Sequence, residues 1–397
     1  MEVGAFYLPT LGRKEEIEQR MAGKRTDLYQ RMLAELSEQI RYMDQHGYYG
    51  CGTTEHHFHI EGEEVSTNPV LLNLYFGLQT KRMKFGQLGN VLPSLNPINR
   101  AEDIAIVSQM LQGRVFAGFA RGYQPRWVNV LGQHVGLGEP GAGEAYEELK
   151  RSLFEENFEV MMAAWKNPTF SFQGKHWKIP TPGIKWPAVK TSRAYGQGVD
   201  EDGTLREIGI APGLYENRIP DLFMPFAVSE RSIAWATARG VVPVTIRTHP
   251  EIVRGDFLAG QKAAAAAGRD LKFGQGMAMS REIIVADTDA EAEAIARHAG
   301  AFIWCNFFEP FGFNAALMAP GEQLSDVPNT FESTAERGLV IYGSPDTVNR
   351  KLEKLLKALP VDYFWMFIYN HPPHGALMRS LELLTTKVWP NFTQKIR

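Results

Sequence analysis

The sequence predicts an α/β chain folded as a (β/α)8 barrel with insertions, and two observations carry that expectation. Short runs rich in β-branched and aromatic residues alternate with amphipathic helical stretches almost from end to end, the pattern of parallel strands joined by crossover helices. Eight such runs occur, and 397 residues lie within the range of one large barrel that carries extra segments.

Taken in order, the strand runs are residues 3–8, 48–53, 83–91, 114–120, 222–228, 241–246, 281–286 and 362–368. Between them, residues 29–43, 99–111, 146–165, 231–239, 250–267 and 345–359 repeat their apolar positions with the helical period, and several end close to a Gly or a basic residue. The alanine run 263–267 is good helix material. Two stretches break the alternation, within what reads as a single domain over residues 1–397. About 167–220 is rich in Pro, Gly, Lys and Trp, and reads as an excursion or small hairpin module. About 308–337 mixes Pro310, Gly312, Pro320, Gly321 and Pro328 with Phe311 and Phe313, and reads as a loop folded over an apolar pocket or as a plain surface loop.

Charge is nearly balanced, with 42 basic against 45 acidic side chains, a net charge of −3 and no long block of one sign. Neither a nucleic-acid groove nor an anionic membrane is expected as partner, so the substrate is expected to be a small molecule. Cys51 and Cys305 stand far apart in apolar company, which fits buried thiols of a reducing compartment better than a disulfide. The N-terminus lacks the basic region and apolar core of a secretion signal, and no apolar run approaches membrane-spanning length, so a cytoplasmic location is expected.

Chemistry concentrates at Thr53-Thr54-Glu55-His56-His57-Phe58-His59, directly after the second strand run. A strand's C-terminal end is where α/β enzymes place their working groups, and three imidazoles with a carboxylate suit proton transfer. A solvated loop or a satisfied hydrogen-bond cluster is the plainer alternative. No metal site is expected, because no His-Glu-x-x-His or paired-Cys spacing occurs. Gly136-Leu137-Gly138-Glu139-Pro140-Gly141 matches the dinucleotide fingerprint letter for letter, but Pro140 sits in the turn and the acidic strand end required about 20 positions on is replaced by a helix. It reads as a Gly-rich connection.

Two further places suit an anion. Arg121 leaves the fourth strand run between glycines, and its guanidinium suits a phosphate or carboxylate, or closes a salt bridge. Val228-Ser229-Glu230-Arg231-Ser232 runs into a helix, so Ser229 or Ser232 caps it while free N–H groups face an oxyanion.

The chain resembles the bacterial luciferase superfamily of flavin-dependent monooxygenases over nearly its whole length. The resemblance rests on Glu55-His56-His57-Phe58, Asn68-Pro69, Val91-Leu92-Pro93 with Pro97 and Arg100-Ala101-Glu102-Asp103, Gly113-Arg114 leading to Arg121-Gly122, Trp235-Ala236 with Arg239-Gly240, and Gly343-Ser344-Pro345. Each piece is short, and their order and spacing carry the match. Gly343 to Val348 and Ser380-Leu381-Glu382-Leu383 also resemble the related Baeyer–Villiger monooxygenases that use reduced FMN.

That resemblance implies a TIM barrel that binds FMN at its C-terminal face, with the reduced form supplied by a separate NAD(P)H:flavin reductase as a transient partner and dioxygen as co-substrate. It implies oxygenation of a small hydrophobic or aromatic substrate through a C4a-(hydro)peroxyflavin. His56 matches the family's catalytic histidine, with Glu55 or His57 expected to orient it. Leu88, Gly89 and Asn90 match the strand end against the isoalloxazine ring; Arg121, Val228, Ser229 and Ser232 match the phosphate end. Aromatics 307–313 with Trp365 and Phe367 are expected to keep the pocket dry. Ala120 departs from bacterial luciferase, which has a reactive cysteine there, and this argues against equating the chain with the light-emitting enzyme, while the two long insertions point to a different substrate. The rival readings are a deazaflavin-dependent dehydrogenase on the same barrel and a non-catalytic flavin-binding protein. A homodimer is expected by analogy with barrel relatives.

Overall fold

Asp44 shows how one side chain sets where a strand begins. It lies in the last turn of a long helix, Thr26–Gln45, and its carboxylate accepts hydrogen bonds from the backbone N–H groups of Lys81, Arg82 and Met83 at 3.0, 2.8 and 2.8 Å. Those three residues lead into the strand Lys84–Gln87, whose far end carries Leu88 and Gly89. The structure, a computed structural model, describes residues 1–138 and 143–396, so residues 139–141 of the glycine run lie outside it.

The fold is a (β/α)8 barrel, and its parallel strands fall in two units of the chain. In the unit formed by Met1–Gly89 and Leu222–Arg397, Glu2–Tyr7 pairs with Gly50–Thr53 on one side and Tyr363–Ile368 on the other. Lys84–Gln87 adds to Gly50–Thr53. Beyond Tyr363–Ile368 come Ala278–Val285, then Val242–Thr245, then Asp221–Pro225. In the unit Asn90–Asp221, the strand Val115–Ala120 pairs in parallel with the short Asn90–Val91.

All eight expected strand runs hold a strand, with ends moved by a few residues. The run 83–91 is two strands, Lys84–Gln87 and Asn90–Val91, and the Leu88–Gly89 peptide between them is cis. One strand was missed: Val340–Gly343 pairs in parallel with the end of Ala278–Val285. Four residues running straight into a helix N-terminus, Ser344-Pro345, leave too short a pattern to read.

Aromatic side chains fill the interior of the first unit in layers, as barrel interiors require. Tyr49 meets Phe223, Tyr363 and Trp365 edge-on at 6.4, 5.2 and 5.8 Å between centroids, joining strands that are not neighbours. Trp365 also explains Gly4, where a Cβ would come within 2.5 Å of the indole ring. One layer further along, Phe6, Phe226 and Phe367 pack at 5.0–6.0 Å.

The two irregular stretches also have structure. Within the second unit, Phe172–Gln173 and Lys178–Ile179 form an antiparallel hairpin, followed by the helix Val189–Tyr195. The stretch expected as a loop at 308–337 is instead a chain of helical turns, the π-helical Ile303–Phe308, then Glu309–Phe311, Phe313–Leu317 and Leu324–Asp326, and the helix Phe331–Glu336. Turns of three to six residues are too short to show a helical period in sequence. Among the described residues no helix is long and apolar enough to cross a membrane.

Candidate active site

The His motif leaves the second barrel strand beside a second strand end. Leu88 N–H donates to Thr53 C=O at 2.8 Å, so Leu88-Gly89 and Thr54-Glu55-His56 emerge side by side. The loop then folds back: His56 N–H donates to Ser66 C=O at 2.9 Å and Val65 N–H to Pro9 C=O at 2.8 Å. Phe58 and Glu64 take left-handed backbone angles, φ 65° and 42°, sparsely populated for side chains of this size. This return brings two glutamates under the histidines.

His56 Nε2 lies 3.3 Å from Glu64 Oε2, and the two side chains are 7% and 1% exposed. Burial, with His59 and His57 adding to it, holds the His56 imidazole well below its ordinary pKa of 6.5. At neutral pH the contact is therefore a neutral imidazole donating to a carboxylate rather than an ion pair. Glu64, which the sequence did not single out, is thus a carboxylate partner of His56, and the expected orienting residues form a pair of their own, Glu55 Oε1 lying 3.5 Å from His57 Nε2. His59 Nδ1 donates to Glu63 C=O at 2.9 Å, and its ring stands 5.6 Å from that of His56 and 5.4 Å from Phe307. Glu63 in turn meets His371 Nε2 at 3.2 Å, where both side chains are buried.

Sequence reasoning missed Glu63, Glu64 and His371. The first two sit in a Gly-flanked loop without period, and His371 lies over 300 residues away, just past the last barrel strand, Tyr363–Ile368. Only the return of the loop joins them. Among the described residues no three His, Cys, Asp or Glu side chains converge as a metal site.

The expected aromatic wall forms in part. Trp304 packs against Phe308 and Phe367 at 5.0 and 5.4 Å, and Phe308 and Phe226 both meet Phe313. Trp365 belongs to the deeper layer with Tyr49. Trp304 Nε1 donates to Glu282 Oε2 at 2.9 Å, and burial pushes the Glu282 carboxyl up to about 8 despite that bond. An uncharged acid beneath aromatic rings keeps a net charge out of this layer.

The phosphate candidates stand as follows. Ser229 caps the helix Glu230–Ala238 by accepting from Ser232 N–H at 3.2 Å, and its hydroxyl donates to Ser232 Oγ at 2.9 Å. Val228 before it is exposed. The capping reading is therefore met, and the other N–H groups of the first turn present the positive end of the helix. In the second unit, Arg121 lies 3.6 Å from Glu147, the salt-bridge alternative. Asn90 is fully buried there; its Nδ2 donates to Gly118 C=O at 2.9 Å and its Oδ1 accepts from Arg100, so its amide clamps strand ends.

A flavin fits the donor set of the first unit. Beside His56, the buried hydroxyls of Thr54 and Ser66 have no hydrogen-bond partner among the described residues, and a buried hydroxyl left unmatched favours a polar ligand or water. Leu88-Gly89 would lie against the ring system, and the Ser229 helix N-terminus would take the phosphate.

The sequence model of the family described as luciferase-like monooxygenase matches residues 1–362. The chain is 26% identical to 3,6-diketocamphane 1,6-monooxygenase of Pseudomonas putida over 339 residues, covering 81% of this chain and 84% of that protein. Among solved structures, a type II Baeyer–Villiger monooxygenase, the oxygenating constituent of 3,6-diketocamphane monooxygenase from the CAM plasmid of Pseudomonas putida in complex with FMN, superposes with a TM-score of 0.70 at 23% identity over 99% of each chain. The coenzyme F420-dependent tetrahydromethanopterin reductase of Methanopyrus kandleri does so with 0.60 at 16% identity, again over 99% of each. At these identities the two structures speak for the fold alone.

Proposed function

The chain belongs to the luciferase-like monooxygenase family, and from that membership we propose that it is a monooxygenase that uses reduced FMN and dioxygen to oxygenate a small hydrophobic or aromatic compound. The observation that carries this reading is the buried, neutral His56 held by Glu64 at a barrel strand end, beside Leu88-Gly89. When bound, reduced FMN supplies the electrons that activate dioxygen, so that one oxygen atom passes to substrate and the other leaves as water.

The chain's own residues then have separate tasks. Neutral His56 donates from Nε2 to Glu64 and so offers Nδ1 as a proton acceptor near the reacting atoms. His57 and Glu55 form the adjoining pair and adjust the local field. Leu88 and Gly89 flank the isoalloxazine ring, with Asn90 following them in the chain. Ser229 and Ser232, after Val228, present the helix N-terminus to the phosphate; in the second unit, Arg121 by itself offers a guanidinium to an anion. Trp304, Phe308 and Phe313 exclude water, which protects the reaction from loss as hydrogen peroxide.

Reduced FMN comes, in this reading, from a separate NAD(P)H:flavin reductase, and the protein pairs as a homodimer. A deazaflavin-dependent dehydrogenase is the second reading, favoured by the shared fold of the tetrahydromethanopterin reductase. Equilibrium binding of reduced FMN and of a reduced deazaflavin separates the two, and turnover under ¹⁸O₂ with product mass analysis tests the oxygenase. Preference for the deazaflavin, or product without label, contradicts the proposal.

A further inference from the structure

Past the His motif, the mouth of the first unit holds a second imidazole–carboxylate pair that the functional reading leaves unused. His371 is wholly buried, three residues beyond the barrel strand Tyr363–Ile368, and its Nε2 lies 3.2 Å from the Glu63 carboxylate. A carboxylate only accepts, so Nε2 carries the hydrogen and Nδ1 presents a lone pair. That Nδ1 is buried and has no partner among the described residues. Two positions back, the Tyr369 hydroxyl is in the same condition, buried and without a partner, with its ring 6.0 Å from the His371 ring. Phe302 closes on His371 edge-on at 5.1 Å. The pair is continuous with the His motif, because the carbonyl of Glu63 holds His59, whose ring faces His56.

Two orphaned atoms on rings 6.0 Å apart, one a lone pair and one an O–H, define a ligand chemistry. A carbonyl oxygen satisfies only Tyr369, and an amine cation satisfies only His371. A hydroxyl satisfies both, since it donates one hydrogen bond and accepts two. We propose that His371 and Tyr369 form a subsite for a substrate hydroxyl, of the phenol or alcohol class, with Glu63 as the positioning residue that fixes the imidazole. This rests on the oxygenase reading for its meaning and deepens it by naming a substrate group. The hydroxyl donates to Nδ1 and accepts from Tyr369. The same contact lets its proton move onto Nδ1 and return, with the Glu63 carboxylate stabilising the imidazolium meanwhile, as a carboxylate does for a histidine base. No oxidant or leaving group enters that step.

The test is a residue-by-ligand cycle on the full chain without flavin. Isothermal titration at neutral pH measures binding of 2-naphthol and of 2-methoxynaphthalene, which differ only in the hydroxyl hydrogen and a methyl group. The wild type is expected to favour the naphthol by roughly tenfold, a typical effect of one matched buried hydrogen bond. In the Glu63→Gln/His371→Leu double variant, which avoids stranding a buried charge, the ratio is expected to fall to about one; in Tyr369→Phe it is expected to fall part way. A merely structural role moves both ligands together and leaves the ratio alone. Tyr369→Phe removes only an unmatched hydroxyl, so it keeps the test available if the double variant fails to fold. A wild-type ratio near one, or a ratio unchanged in the variants, overturns the subsite and leaves the two atoms to an internal water. Loss of the flavin reading would instead appear as absent FMN binding, with the naphthol ratio intact.

Discussion

Glu64 Oε2 stands 3.3 Å from His56 Nε2, and the preceding residue, Glu63, stands 3.2 Å from His371 Nε2. Consecutive glutamates thus hold two different histidines, one from the second barrel strand's exit and one from the last strand's. The left-handed backbone of Glu64 is part of the turn that separates them. Each of the two neighbouring buried carboxylates thus has its own imidazole N–H donor, as a buried polar group requires.

Replacing His56 by alanine is expected to leave FMN affinity within about twofold and to lower product formation by about 10²–10⁴-fold, the usual range for losing an acid/base group. Oxygen consumption is expected to continue as hydrogen peroxide. Parallel assays of product and peroxide check this, and full coupling in the variant removes His56 from the mechanism.

Glu64→Leu is expected to reproduce the uncoupling of His56→Ala, whereas Glu55→Leu is not, because Glu64 is the residue that fixes the imidazole. Loss of the buried acceptor costs about 1–3 kcal/mol, read as a lower Tm. Equal uncoupling by both variants contradicts the division between the two pairs.

Stability is expected to depend on Glu282 in a defined pH window. Folded, its carboxyl titrates at about 8, against 4.5 for the ordinary group. The unfolded chain therefore ionises first, and the stability present below pH 4.5 is lost as pH rises towards 8. His56 works in the opposite sense: its lowered value makes stability fall as pH drops below 6.5. Glu282→Gln keeps an acceptor for Trp304 and removes the first effect. The variant is expected to gain on the wild type between pH 5 and 8, by on the order of a few kcal/mol at the upper end. Thermal melts across that range check the sign; a gain that shrinks with rising pH contradicts it.

Ser229→Ala removes the cap of Glu230–Ala238, costing about 1 kcal/mol of stability. If that helix end takes the flavin phosphate, FMN binding weakens about tenfold while riboflavin binding does not change. Flavin fluorescence titration compares the two, and equal weakening assigns Ser229 to capping alone.

Strand positions were legible because each barrel strand is a run of apolar and β-branched residues bounded by turns, as at 241–246 and 362–368, and the structure moves their ends by only a few residues. The His motif was legible because its chemistry is local. Its partners were not: Glu63 and Glu64 gain meaning only when the loop returns, and His371 only when the barrel's last strand lies beside its first. The turns of 303–317 escaped because none is long enough to show a period. Ser229 read equally as cap and anion site, and its bond to Ser232 N–H leaves the choice to binding experiments.

Rapid mixing of the protein, loaded anaerobically with reduced FMN, against oxygenated buffer tests the central claim most directly. The account predicts that flavin absorbance passes through a transient species that the protein holds for longer than free flavin does, and that His56→Ala shortens its life. Reoxidation indistinguishable from that of free flavin, with and without substrate present, would contradict it.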